Sequence, residues 1–121
     1  VGALSAQGWL IVAAVGNAGP AAGPLYPAAY PGVIGVTAVD RRDRALPEAC
    51  RGAHVAFAAP GADMAAADAG GGYARVRGTS YAAPLVAGLL AGQGGIGAVA
   101  VETLAREARD LGRAGVDPVY G

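Results

Sequence analysis

The chain has 121 residues, 54% apolar and 15% charged, which suits one small domain or part of a larger one and excludes a disordered chain. Nine arginines balance nine acidic residues and lysine is absent, so no basic surplus exists to neutralise phosphates, which argues against a nucleic-acid or anionic-membrane partner. A single cysteine, Cys50, allows no internal disulfide and no cysteine-based metal site, and no apolar run approaches the roughly 18 residues of a membrane span.

The first residues, VGALSAQGWLIV, carry neither a basic region nor a complete signal peptide, and read as the middle of a fold. ALSAQG is the tail of a helix that Gly8 stops. Leu10 to Val15 is a continuous apolar run, the pattern of a strand buried on both faces of a parallel sheet. Gly16 to Pro31, rich in Gly, Pro, Ala and Tyr, is a long structured loop of the kind that carries function. Val33 to Val39 is a second strand, broken by Gly35 and closed by a solvated charged turn from Asp40 to Arg44. A third strand, Val55 to Ala58, ends at Pro60-Gly61. Ala62 to Gly72 reads as turn, and Tyr73 to Val76 as a further short strand. Two helices follow. The first, Ser80 to Ala91, is apolar nearly all round, with Leu85, Val86, Leu89 and Leu90 forming a broad face that suggests burial. After a GQGG break the second spans Ala98 to Leu111, with an i,i+4 pair of Glu102 and Arg106, and stops at Gly112. The fold class is α/β, with buried strands and loops that carry the interest.

Two stretches carry chemistry. In GTSYAAPLVAG, Gly78 to Gly88, a serine stands at the mouth of a helix, where unpaired N–H groups and the positive dipole end favour negative charge. A serine hydroxyl becomes a useful nucleophile only with a base to take its proton and donors for the oxyanion. Ala82 and Ala83 keep bulk away from an incoming chain, and Pro84, one turn inside, leaves the Ser80 carbonyl without its usual partner. Ser80 could equally serve only to cap a buried helix. In VAAVGNAGP, Asn17 follows the first strand directly, a neutral amide donor flanked by Gly16 and Gly19, which permit a tight turn. An Asn tolerated in a left-handed turn is the plain alternative. Taken with Ser80, Asn17 is a candidate oxyanion donor.

VAAVGNAGP, YPAAYPGVIGVTAVD, FAAPGADM and GTSYAAPLVAG, in that order, resemble the C-terminal half of the subtilisin-like serine proteases (subtilases, peptidase family S8), and DLGRAGVDPVYG resembles that family's closing segment. The resemblance implies a partial subtilisin-like fold, a mostly parallel buried sheet flanked by helices, with residues 1–121 forming the C-terminal portion of one peptidase domain. It implies hydrolysis of peptide bonds through an acyl-enzyme, with Ser80 as nucleophile and Asn17 joining the Ser80 N–H in the oxyanion hole. Ala14, Val15 and Gly16 would form one side of the substrate pocket, Leu25 and Ala28 its floor and far wall, and Thr79 would also touch substrate. Leu25 stands where small residues are frequent in the family, which points to a shallow pocket for small or medium side chains. No cofactor is implied for catalysis. Some relatives hold a structural cation, calcium or monovalent, on backbone carbonyls that match Ala28, Tyr30 and Val33. The implied partner is a polypeptide substrate, and the implied location is secreted, periplasmic or cell-envelope.

The family's aspartate and histidine precede its serine, and neither motif is present here. His54, in GAHVAFAAPG, lacks the expected neighbours and reads as structural; Asp40 and Asp63 read as loop residues. Catalysis is therefore expected to need an N-terminal half, and the 121 residues alone are expected to be inactive and to lack a cooperative thermal transition. The alternatives are a truncated or non-catalytic protease-like binding domain and, more remotely, a nucleotide-binding module. The last is disfavoured because G-x-G-x-x-G is not met and no P-loop lysine follows Gly78.

Overall fold

The computed structural model describes residues 1–93 and 97–121. Its elements run α1 (Gly2–Ala6), β1 (Ile11–Ala14), β2 (Val33–Val39), β3 (Val55–Pro60), β4 (Met64–Ala67), β5 (Tyr73–Val76), α2 (Thr79–Gly92) and α3 (Ala98–Glu107). The strands β1, β2 and β3 form a parallel sheet in that order, and β4 pairs antiparallel with β5. α1 ends as the sequence predicts. Gly8 takes a positive φ of 84°, and the amides of Gly8 and Trp9 donate to the carbonyls of Ser5 and Leu4.

Ile34 to Val39 are buried, because β2 is the middle strand and has a neighbour on each edge. Its side chains join Leu46, Phe57, Val86, Leu90 and Leu104 in the main core between the sheet and the helices. Each such aliphatic side chain contributes about 1.5–3 kcal/mol on full burial. A second cluster, Ala13, Val15, Ala28, Cys50 and Val55, packs beside the end of β1.

Several boundaries differ from the sequence reading. Gly35 does not break β2; the register with β3 shifts between Gly35 and Val36, and the His54 carbonyl occupies the space a Cβ at position 35 would need. β3 continues to Pro60. The segment read as turn contains β4, whose alanines give no strand signal of their own and are held by pairing Met64 with Val76 through Ala67 with Tyr73. α2 buries Val86 and Leu90, while Leu85 and Leu89 remain 38% and 55% exposed, so its apolar face is only half covered. The Gly92-Gln93 part of the GQGG break ends α2, and residues 94 and 95 lie outside the described residues. α3 stops at Glu107 rather than Leu111 because Ala108 is extended and the following residues are drawn into other contacts: Arg109 pairs with Asp43, and Asp110 accepts the Gly115 N–H. Gly112 is therefore not the helix stop. Its positive φ of 80° turns the chain around Asp117, whose carboxylate would lie 2.5 Å from a Cβ there. The Asp40–Arg44 turn is solvated as expected, and Asp40 accepts the Arg42 and Arg44 amides together with the Arg44 guanidinium.

Candidate active site

The carboxyl ends of β1 and β3 lie on one side of the sheet, where open parallel sheets place their ligands. β1 runs out through Ala14, half-buried, and Val15, fully buried, whose amide still donates to Val36. Gly16 then turns the chain with a φ of 102° and presents Asn17 to solvent. β3 runs out to Gly61, whose carbonyl accepts the Gly78 N–H at 2.8 Å and so brings the start of α2 to the same corner.

Gly78 caps α2 with a φ of 133° and no side chain of its own. The cap is supplied from across the corner: the Thr79 N–H donates to Asn17 Oδ1 at 3.0 Å. In return the Gly16 N–H donates to Thr79 Oγ1 at 3.2 Å. These two bonds stitch the loop after β1 to the start of α2. With Asn17 Oδ1 accepting from Thr79, its Nδ2 makes no hydrogen bond among the described residues and is available to donate. Gly78 must stay small for this, since a Cβ there would lie 3.2 Å from that Nδ2. Ser80, next to Thr79, is exposed, and its amide is one of those a helix start leaves without an intrahelical acceptor. Asn17 and the Ser80 segment, 62 residues apart in the chain, thus meet.

The other candidate residues divide by exposure. The Leu25 side chain lies against Gly16, its Cδ1 2.5 Å from where a Cβ would stand, and is 40% exposed. Ala28 and Thr79 are buried, at 1% and 0% exposure. Ala28 belongs to the second core cluster, and the Thr79 hydroxyl accepts from the Gly16 N–H. Ala82 and Ala83 point into the main core and not toward the mouth of the site. His54 stands at the entrance of β3, its ring against Gly52. The six residues of β3 separate it from Gly61 by about 20 Å. It is out of reach of Ser80.

Sequence reasoning missed one pair at this corner. Glu48 Oε1 and Oε2 accept from Arg77 Nε and Nη2 at 2.5 and 3.0 Å. The Arg77 guanidinium holds the Glu48 carboxyl below its ordinary range, and Glu48 in turn raises Arg77. No periodicity links residues 29 positions apart, so no signal in the sequence could have found the pair. Among the described residues no group of three His, Cys, Asp or Glu could hold a metal ion.

Residues 2–117 match the model of the Subtilase family. The chain is 44% identical over 85 residues to a thermophilic serine proteinase of Bacillus sp. (strain AK1), covering 70% of this chain and 21% of that protein. It is 43% identical over 91 residues to thermitase of Thermoactinomyces vulgaris, covering 73% of this chain and 32% of that one. Among solved structures, the prenylagaramide maturation protease PagA is similar with a TM-score of 0.69 and 32% identity, over 74% of this chain and 33% of that chain. The chain thus spans about a fifth to a third of the length of these relatives. The matching family model, the identities and the shared α/β architecture agree with the motifs read from the sequence: this chain belongs to the subtilase family.

Proposed function

We propose that this chain contributes the nucleophile and the oxyanion donors of a serine endopeptidase. The observation that supports the reading is the hydrogen bond from the Thr79 N–H to Asn17 Oδ1, which holds the Asn17 amide beside the residue preceding Ser80. Ser80 Oγ attacks the scissile carbonyl carbon and passes its proton to a base. The carbonyl oxygen becomes an oxyanion held by Asn17 Nδ2 and the Ser80 N–H, both fixed beforehand by the fold. Collapse breaks the C–N bond, the leaving amine takes the proton from the base, and an ester remains on Ser80. Water then attacks that ester with the same base and the same two donors.

The base and the carboxylate that orients it come from outside these 121 residues, because the sole histidine sits at the wrong end of β3. Without them an intact site would keep a residual acceleration of about 10³–10⁴ over water, a figure known from subtilisin itself. Substrates are polypeptides, and Leu25 over Gly16 makes the pocket shallow, favouring small or medium side chains before the scissile bond. Profiling the complete enzyme on a peptide library tests this, and a preference for large aromatics would exclude it. The carbonyls of Ala28, Tyr30 and Val33 are a candidate cation loop. The Tyr30 oxygen already accepts the Val33 N–H at 3.1 Å but keeps a second lone pair, so the loop fits a cation through that oxygen only with the turn bond retained. Secretion fits the family, one of whose members similar to this chain is named the minor extracellular protease Epr of Bacillus subtilis.

The deciding experiment uses the full-length protein that carries this chain. A fluorophosphonate probe should label Ser80, and Ser80→Ala should abolish labelling and peptide hydrolysis together. Asn17→Ala should lower kcat by about 10²–10³ with little change in KM, the magnitude measured for an oxyanion donor of subtilisin. Labelling that survives Ser80→Ala would overturn the assignment.

A further inference from the structure

We propose that Glu48 and Arg77 are a positioning pair that locks the Asn17 turn and the Ser80 segment in register. The proposal rests on the assignment of Ser80 and Asn17 above. Three chain segments meet at this corner, and each pair of them is joined by two hydrogen bonds. The Gly16–Gly19 turn is held to residues 48–50 at both ends, since the Gly19 N–H donates to the Glu48 carbonyl and the Cys50 N–H donates to the Gly16 carbonyl, at 2.8 and 3.0 Å. The same turn is stitched to the start of α2 through Gly16, Asn17 and Thr79. The third side of the triangle is Glu48 with Arg77, the residue that leads into Gly78.

That third side differs from the other two in kind. It is made of side chains alone, both charged, in a paired two-bond geometry that restricts rotation as well as distance. Removing it leaves the Ser80 segment held to the turn only by the Gly16–Thr79 and Asn17–Thr79 bonds, with no brace through residue 48 to limit how those two bonds flex. Oxyanion donors must lie within a few tenths of an ångström of the developing charge, and a displacement of about 1 Å can cost about 10²-fold in rate. Neither side chain need touch substrate for this. Glu48 and Arg77 act through Asn17 and Ser80 and are not themselves catalytic.

The test is made in the full-length protein with Glu48→Gln, Arg77→Met and the double variant, each normalised to active sites titrated with a fluorophosphonate. The expected result is a fall in kcat of about tenfold to a hundredfold in either single variant, with KM within about threefold and the double variant no worse than either. Arg77→Lys keeps the charge but loses the fork, and should fall between wild type and Arg77→Met. The amides of Gly16 and Thr79 should exchange with solvent at least about tenfold faster in Glu48→Gln, with β2 amides unchanged. Unchanged kcat in both singles, or additive losses in the double, would overturn the proposal. A wild-type protein without peptidase activity would remove the functional reading, and the exchange rates would still decide whether the pair holds the corner: unchanged Gly16 and Thr79 exchange refutes it.

Discussion

Gly16 shows how narrowly single residues fix this corner. Its φ of 102° lies in the left-handed range, where a side chain costs about 1–3 kcal/mol by backbone strain alone. A Cβ would also stand 2.5 Å from Leu25 Cδ1 and 3.3 Å from Cys50 Sγ. These two neighbours differ. Leu25 is 40% exposed and its end can swing away, whereas Cys50 is fully buried and has nowhere to go. Gly16→Ala should therefore destabilise by at least the strain term, measured by chemical denaturation, and should reduce turnover because Asn17 is the next residue. Adding Leu25→Ala removes one contact but not the dihedral cost, so the double variant should recover only part of the loss. Full recovery would mean that crowding, and not the backbone, requires glycine at this position.

At the scale of elements, the sequence was most informative where a pattern was continuous. The apolar run of β2 and the glycine stop of α1 could be read directly, since each is a local consequence of burial or of a positive φ; β1 is a strand as read, but of its four residues only Ala13 is buried, the others being half-covered. The candidate site was legible for a related reason: Asn17 and Ser80 each sit at an element boundary marked by glycine. What stayed hidden was decided by distant partners. β4 is a strand because β5 pairs with it, Gly35 is a bulge because the His54 carbonyl needs its space, and Arg77 is bound by Glu48. The closing segment belongs to the same class. Asp117 is buried and accepts the amides of Tyr120, Val119 and Arg113 at 2.8, 2.7 and 3.0 Å, and those bonds hold its pKa below the usual value. A carboxylate depressed on folding stabilises above its unfolded pKa, near about 4, and that contribution is lost as pH falls below it toward the folded value. Thermal unfolding of the full-length protein should accordingly fall in midpoint as pH drops from about 5 to about 3. Asp117→Asn should start lower at neutral pH and lose less over the same window. Parallel curves for the two proteins would show that residues 113–120 are not anchored by that charge.

The whole molecule exposes more surface than its mass requires. Its accessible area is 7106 Å², where a folded monomer of 11.7 kDa typically shows about 5,900 Å². Exposed apolar side chains are part of it: Leu85 and Leu89 on α2 and Val116 in the closing segment line a groove of about 1040 Å³ that Leu104 and Ala105 of α3 also line. Among the described residues β1 and β3 each have one edge with no partner strand, although Gly121 lies against the β3 backbone at Ala56 and Phe57. Large exposed apolar patches of this kind drive association. The 121 residues taken alone should bind an apolar dye such as anilinonaphthalene sulfonate, scatter light as oligomers at micromolar concentration, and unfold over a broad temperature range. Leu89 and Leu90 separate surface from core, at 55% and 4% exposure on the same helix. Leu89→Glu should lower dye binding and oligomer mass while leaving helical content unchanged, because an exposed substitution shifts stability by no more than about 0.5 kcal/mol. Leu90→Ala should instead cost about 2–5 kcal/mol and raise dye binding. A monomeric chain with one sharp calorimetric transition and no dye signal would mean that the groove closes in solution and that these 121 residues suffice as a folding unit.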